Sequence, residues 1–144
     1  MDNMNKKIIS ICAALLMIIA PHAVTLSQTK IKTKGKVPAV RMSGDTLIVN
    51  TTTSGRNIFG YGGPTPIEVK ILNDCIVDVT ALPNLETEEY FEPTFKILKE
   101  IWTGLTVKDL QEYVPDAVTG STYTSRALIQ NMQEAIETAS GKRR

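Results

Sequence analysis

Histidine is nearly missing from this chain. Its 144 residues hold one, His22, together with two cysteines, Cys12 and Cys75. There is no CxxC or CxxCH pair and no histidine cluster. Structural zinc, haem c and histidine-based catalytic triads are therefore excluded as a basis for function. A basic stripe is missing too. Lys+Arg 16 against Asp+Glu 15 leaves a net charge of +1, which gives no nucleic-acid footprint. No internal repeat and no low-complexity tract is present. The length suits one modest domain, and the apolar share is that of a globular protein.

The N-terminus differs in character. Lys6 and Lys7 precede an uncharged apolar run from Ile8 to Ala20, which Pro21 and His22 break. A basic start, a short apolar run and a breaker describe a secretory signal. The run is short for a membrane span, which needs about 20 residues, although extending it to Leu26 makes a retained anchor possible. Residues 1–27 are read as a signal peptide or an N-terminal membrane anchor, and the protein as exported, to the periplasm or the extracytoplasmic face of a membrane. Removing them takes away two lysines and one aspartate and leaves Cys75 as the sole cysteine. One thiol makes no internal disulfide, so stability must come from the core.

Residues 28–44, "QTKIKTKGKVPAVRMSG", are basic and poorly patterned, and read as a tether or irregular arm. Leu47 to Thr53 is β-rich. Ile67, Val69 and Ile71 alternate with Glu68 and Lys70, the period-2 signature of a strand with one buried face. "ND", residues 73 and 74, is a turn into "CIVDVTAL", which completes a hairpin. Phe95, Leu98, Ile101 and Trp102 fall at helical spacing within a helix over about 89–103. A short helix starts at Thr106, a plausible N-cap, and Pro115 ends that segment. A last helix begins near Thr124, with Leu128, Met132, Ala135, Ile136 and Ala139 on one face. Strands followed by helices argue an α+β fold: a small antiparallel sheet with a hairpin, packed by two main helices and one short one. Residues 141–144 are a polar tail.

Three stretches carry candidate chemistry. In "DAVTGSTYTSRAL", residues 116–128, every residue from Thr119 to Ser125 except Gly120 bears a hydroxyl. A helix N-terminus offers unpaired N–H groups and partial positive charge, a setting that suits phosphate. Gly120 lets backbone approach a ligand, and the hydroxyls can donate further bonds. A capping turn with surplus surface hydroxyls is equally compatible with these residues. "GYGGP", residues 60–64, permits close approach of a flat ligand, though alone it reads as a hairpin loop. In "NLETEEYF", Thr87 reads as an N-cap or as part of a ligand-contacting loop. Asp116 lies where it could cap or orient the hydroxyl-rich turn.

In order and spacing, "GYGGPTPIEVKI", "CIVDVTALPNLET", "FKILKEIW" and "DAVTGSTYTSRAL" resemble the FMN-binding domain family, over roughly residues 45–139. That family includes the flavin-bearing peripheral subunits of the sodium-pumping NADH:quinone oxidoreductase and of the Rnf complex. The resemblance implies an FMN-binding domain over residues 45–140, with FMN as cofactor. It implies that Thr122 is the acceptor of a phosphoester to the FMN phosphate, attached by a separate flavin transferase. Asp116, Thr119, Gly120 and Ser121 complete that motif. Tyr123, Thr124 and Ser125 would line the phosphate end, Tyr61, Gly62 and Gly63 would approach the isoalloxazine, and Leu85, Glu86 and Thr87 would close the other side. Ser121 stands where the family usually has alanine, and residues 83–85, "PNL", stand where members often carry histidine. The implied function is an extracytoplasmic electron carrier between a membrane-bound or soluble redox donor and an acceptor. A non-covalent FMN module of a reductase or sensor and a flavin-free structural domain are the alternatives. No nucleic acid and no metal enter this reading.

Overall fold

The computed structural model describes residues 38–141. The export segment, with Cys12 and His22, most of the arm and the end of the polar tail lie outside the described residues. Four strands, β1 (Val40–Ser43), β2 (Thr46–Asn50), β3 (Ile67–Leu72) and β4 (Cys75–Ala81), form one antiparallel sheet in that order. Three helices follow: α1 (Glu88–Trp102), α2 (Val107–Glu112) and α3 (Thr122–Ala139). This is the expected α+β arrangement.

Alternation builds the sheet. Ile67, Val69 and Ile71 of β3 are buried, while Glu68, Lys70 and Leu72 are half-exposed. Register places Val49, Val69 and Val79 side by side across three strands, and all three are fully buried. Each such cross-strand contact adds a few tenths to about 1 kcal/mol. Asn73 and Asp74 close the β3–β4 hairpin with φ of 50° and 65°. Short polar side chains tolerate that left-handed pair, which matches the twist of the flanking strands.

One boundary differs from the sequence reading. Residues 40–43, placed in the irregular arm, form the edge strand β1. Gly44, at φ 58°, turns the chain back so that Val40 pairs with Val49 and Met42 with Leu47. Every β1 residue is exposed, so the strand is made by pairing to β2 and not by burial of its own side chains.

The helices cover the other side of the core. α1 buries Phe91, Thr94, Leu98 and Trp102, a single face at helical spacing. Phe95 packs against the core half-buried, and its ring stacks on Phe91 at 5.7 Å. Ile101, expected on the inner face, is turned toward solvent instead, because the buried stripe is set by Phe91, Thr94 and Leu98. Asp78 of β4 ties α1 to the sheet through Lys99 at 2.7 Å and Lys70 at 3.0 Å. Burial pushes its carboxyl up, but the hydrogen bonds and charges of Lys99 and Lys70 outweigh this and hold it below its ordinary value.

α3 is the spine, about 27 Å long at 1.5 Å per residue. Leu128, Met132, Ala135 and Ile136 are buried as expected, with Ala139 half-buried. Asn131 on the same helix is fully buried. Its Nδ2 donates to Thr65 Oγ1 at 3.3 Å and to the Ala127 carbonyl at 3.1 Å, which fixes α3 against the segment between β2 and β3. Each fully buried leucine or isoleucine in this layer contributes about 1.5–3 kcal/mol. Among the described residues, no helix is long and apolar enough to cross a membrane.

Candidate functional site

Three loops that are distant in sequence meet at the start of α3. The first is the glycine loop. Phe59 and Pro64 form an isolated bridge, and the Gly60 N–H donates to the Gly63 carbonyl at 2.8 Å. The resulting tight turn lies against residues 85 and 86. A Cβ on Gly62 would sit 2.2 Å from the Leu85 carbonyl oxygen, and one on Gly60 would sit 2.6 Å from Glu86 Oε1. Backbone closes off Gly62, while a side chain at Gly60 would have to displace the Glu86 carboxylate.

The second loop follows β4. Asn84 folds it, donating from Nδ2 to the Leu82 carbonyl and accepting from the Glu86 N–H. This aims the Glu86 carboxylate between the other two loops. Its Oε1 accepts from the Gly62 N–H at 2.6 Å, and its Oε2 accepts from Thr124 Oγ1. One carboxylate thus clasps partners 24 and 38 residues away.

The third is the hydroxyl-rich turn. Gly120 takes φ 85°, a conformation that other residues adopt only with strain. The Ser121 N–H donates to the Val118 carbonyl. Ser125, fully buried, spends its hydroxyl inside the turn. That hydroxyl donates to the Ser121 and Thr122 carbonyls and accepts from the Val118 N–H. Gly120 and Ser125 therefore shape the turn, and the backbone it presents is preset.

The first turn of α3 is left chemically open. Ser121 is its N-cap residue but makes no capping bond, and the turn contains no acidic residue. The N–H groups of Thr122, Tyr123 and Thr124 find no acceptor among the described residues. The Thr122 side chain is exposed, and its hydroxyl has no partner among those residues. Three aligned donors at a positive helix end constitute an anion seat, with a hydroxyl beside it.

These loops enclose a cleft of about 270 Å³. Gly120, Ser121, Thr122, Tyr123 and Thr124 form one wall, and Tyr61, Glu86, Thr87 and Tyr90 form the rest. Tyr61, Tyr90 and Tyr123 are exposed at 82%, 56% and 69%, so flat aromatic surface rings the opening. Leu85 is equally exposed beside the glycine loop. Thr87 occupies the N-cap position of α1 but makes no side-chain capping bond, and it faces the cleft.

Eight of the fourteen residues singled out in the sequence line this cleft. Gly62, Gly63 and Leu85 stand behind or beside it, as the glycine loop and its support. Ser125 is buried in the turn, and its hydroxyl is not available to a ligand, against the expectation. Asp116 and Thr119 are exposed in the loop before the turn and are not part of the cleft wall. Asp116 makes no hydrogen bond among the described residues, so it neither caps nor orients the turn. Tyr90 is the lining residue that the sequence reading missed. Its place in the first turn of α1, next to the "ET" loop, was the available signal. Among the described residues, no group of histidine, cysteine, aspartate and glutamate could hold a metal ion.

An anion seat joined to an aromatic-rimmed cleft matches the two ends of FMN, a phosphate and a planar ring system. The donor set fits the group. Unused N–H groups and the Ser121 and Thr122 hydroxyls could receive a phosphate, and Tyr61 and Tyr90 offer flat surface to a ring. Known proteins give the same answer. The family model described as "FMN-binding domain" matches residues 60–137. The chain is also similar to the NADH:acrylate oxidoreductase of Vibrio harveyi, 28% identical over 126 residues. That alignment takes in 87% of this chain and 11% of the relative, so the chain spans a small part of that protein's length. Sequence, cleft and family model converge: the chain belongs to the FMN-binding domain family, and FMN is its cofactor.

Proposed function

We propose that this domain carries FMN as a phosphoester of Thr122 and works as an electron carrier on the extracytoplasmic side of a membrane. One observation carries the covalent part: an exposed threonine hydroxyl without a partner, at the edge of a helix start whose N–H groups are also unused. Those N–H groups would hold the phosphate oxygens while Thr122 Oγ1 bears the ester. Ser121 would add a hydroxyl donor. Thr124 would hold Glu86 in place, and Glu86 would hold the glycine loop. Tyr61 and Tyr90 would flank the ring. Bound FMN supplies one- and two-electron transfer, and the protein supplies attachment, orientation and exclusion of water from one side.

Attachment needs a partner enzyme, a flavin transferase. With a flavin dinucleotide as donor, the Thr122 Oγ1–phosphorus bond forms as the donor's pyrophosphate bond breaks. FMN stays on the threonine, the nucleoside monophosphate from the other half of the donor leaves, and the hydroxyl proton passes to a base of the transferase. Glu86, the carboxylate in the cleft wall, has both oxygens committed to Gly62 and Thr124, which favours a relay between a redox donor and an acceptor over acid–base chemistry on a small substrate. The relative's name, NADH:acrylate oxidoreductase, describes a reductase. This chain matches 11% of that protein's length, and we read it as a relay that would serve a separate reductase. Export is supported by Lys6, Lys7, the apolar run from Ile8 and the break at Pro21, and an ester link keeps the cofactor from being lost outside the cell.

The test is production of the full chain in the exported compartment of a host with an active flavin transferase. Flavin fluorescence should stay with the chain on a denaturing gel, with a mass gain of about 440 Da. Thr122→Ala should abolish both, and Thr122→Ser should retain them. Flavin that is released on denaturation would move the assignment to a non-covalent module. A colourless wild-type protein would leave only a structural domain. The same mass reports whether residues 1–27 have been removed.

A further inference from the structure

α1 has a second face that the core does not use. Tyr90, Ile97 and Ile101 are exposed at 56%, 44% and 37%, and Pro93 is exposed between them. Spacings of three and four residues align these side chains in one stripe along the helix. Tyr90 lines the flavin cleft, so the stripe runs about 16 Å outward from the cleft wall. A water-facing helix surface is ordinarily polar, and the burial of Phe91, Thr94, Leu98 and Trp102 leaves this stripe without a role in folding.

Charge along the stripe is one-sided. Glu89 and Glu100 are exposed and border it, Glu92 and Lys96 stand further round the same exposed side, and none of the three glutamates is in an ion pair among the described residues. Lys96 is the one base among them, because Lys99 is held by Asp78. Glu89 suits the positive end of the helix. That explanation fails for Glu100, which lies in the last turn, where the helix dipole disfavours an acid.

Resting on the electron-carrier reading, we propose that this outward face of α1 is the docking surface for a redox partner whose contact face is basic around an apolar centre. The partner's apolar centre would cover Tyr90, Ile97 and Ile101, and its lysines or arginines would meet Glu89 and Glu100, with Glu92 adding to the field from further round the helix. Electrostatic complementarity of this kind raises the association rate and sets orientation more than it raises affinity. Docking here brings the partner to the aromatic edge of the flavin cleft.

The probe is a small basic ferric cytochrome c, mixed with the full flavin-bearing chain after chemical reduction. Two electrons leave each reduced flavin for two haems, and the flavin's protons go to water. The bimolecular rate constant should fall about tenfold between roughly 10 and 300 mM salt. Combined E89K, E92K and E100K should lower the low-salt rate about tenfold and remove the salt dependence. K96E should raise that rate, and ferricyanide, an anion, should show the opposite order of variants. I97S with I101S should slow transfer with the salt slope kept. Unchanged rates and slopes in both the flavin-bearing charge-reversal variant and K96E would overturn the docking surface while leaving the carrier reading intact. A chain that takes up no flavin overturns the reading beneath it, and is seen as missing colour before any partner is added.

Discussion

α2 and α3 each begin by exposing backbone N–H groups that helical bonding leaves over, and they treat them in opposite ways. At α2, Thr106 Oγ1 accepts from the Asp109 N–H at 3.0 Å, and Asp109 Oδ2 accepts from the Thr106 N–H at 2.9 Å. That start satisfies itself. At α3, Ser121 makes no capping bond, no acid lies in the first turn, and the one nearby carboxylate, Glu86, goes to a hydroxyl and to the glycine loop. Hydroxyls are plentiful at α3 and still do not cap it. Ser125 and Thr124 are committed to holding the turn and the clasp. α1 also starts without a side-chain cap, at Thr87 on the same cleft, so both uncapped helix starts face the cleft while the start away from it is closed.

Making α3 resemble α2 is the strongest way to break this contrast. Ser121→Asp puts a carboxylate where the phosphate belongs. Flavin loading should drop more than tenfold, while the flavin-free protein gains about 1 kcal/mol from the new cap. Loading by fluorescence and stability by urea titration would read the two opposite effects. Gly120→Ala strains the turn without touching its donors. A left-handed residue other than glycine costs about 1–2 kcal/mol, so a matching loss of stability is expected, with slower flavin attachment. Thr106→Ala dismantles the α2 start instead. It should cost about 1 kcal/mol and leave flavin loading as in the wild type.

The smallest effect is pH dependence confined to the self-satisfied start. The Thr106 N–H, then the Thr106 hydroxyl, hold the Asp109 carboxyl below its ordinary value of 3.8, against slight desolvation and with help from Lys108. A carboxyl lowered by folding adds stability that is complete above its unfolded value and is lost as pH falls through its folded one. Melting temperature should therefore decline below about pH 4, and Asp109→Asn should flatten part of that decline. Asp78 contributes to the same decline through Lys99 and Lys70, so the double variant should flatten it further.

What could be read in the sequence was what local pattern determines. The alternation at Ile67, Val69 and Ile71, the "ND" turn and the Thr106 cap are contained within a few residues each, and all appear in the fold. β1 was missed because an exposed four-residue edge strand has no buried face to pattern, and only pairing with β2 makes it. The start of α3 was placed two residues late, since a hydroxyl-rich stretch carries no apolar period to mark its first turn. The spacing of Phe95, Leu98, Ile101 and Trp102 alone points Ile101 inward, whereas Phe91 and Thr94 set the buried face that turns it out. The clasp by Glu86 was illegible for a different reason. Its partners Gly62 and Thr124 are brought together only by the finished sheet and helices. Ser125 likewise looked like one more ligand hydroxyl until its bonds to Val118, Ser121 and Thr122 placed it inside.

The helix proposed to hold the cofactor at its open end is also the one whose other face fills the core, with Ala127, Leu128, Met132, Ala135 and Ile136 all nearly inaccessible to water. A group seated on that end inherits the stiffness of the interior. When its charge changes by one electron, the polypeptide beneath it has little freedom to respond. The nuclear rearrangement that accompanies each transfer would then fall mostly to solvent and to the exposed tyrosine side chains at the rim. With anchorage and core sharing a single spine, the polypeptide's own share of the reorganisation would be small.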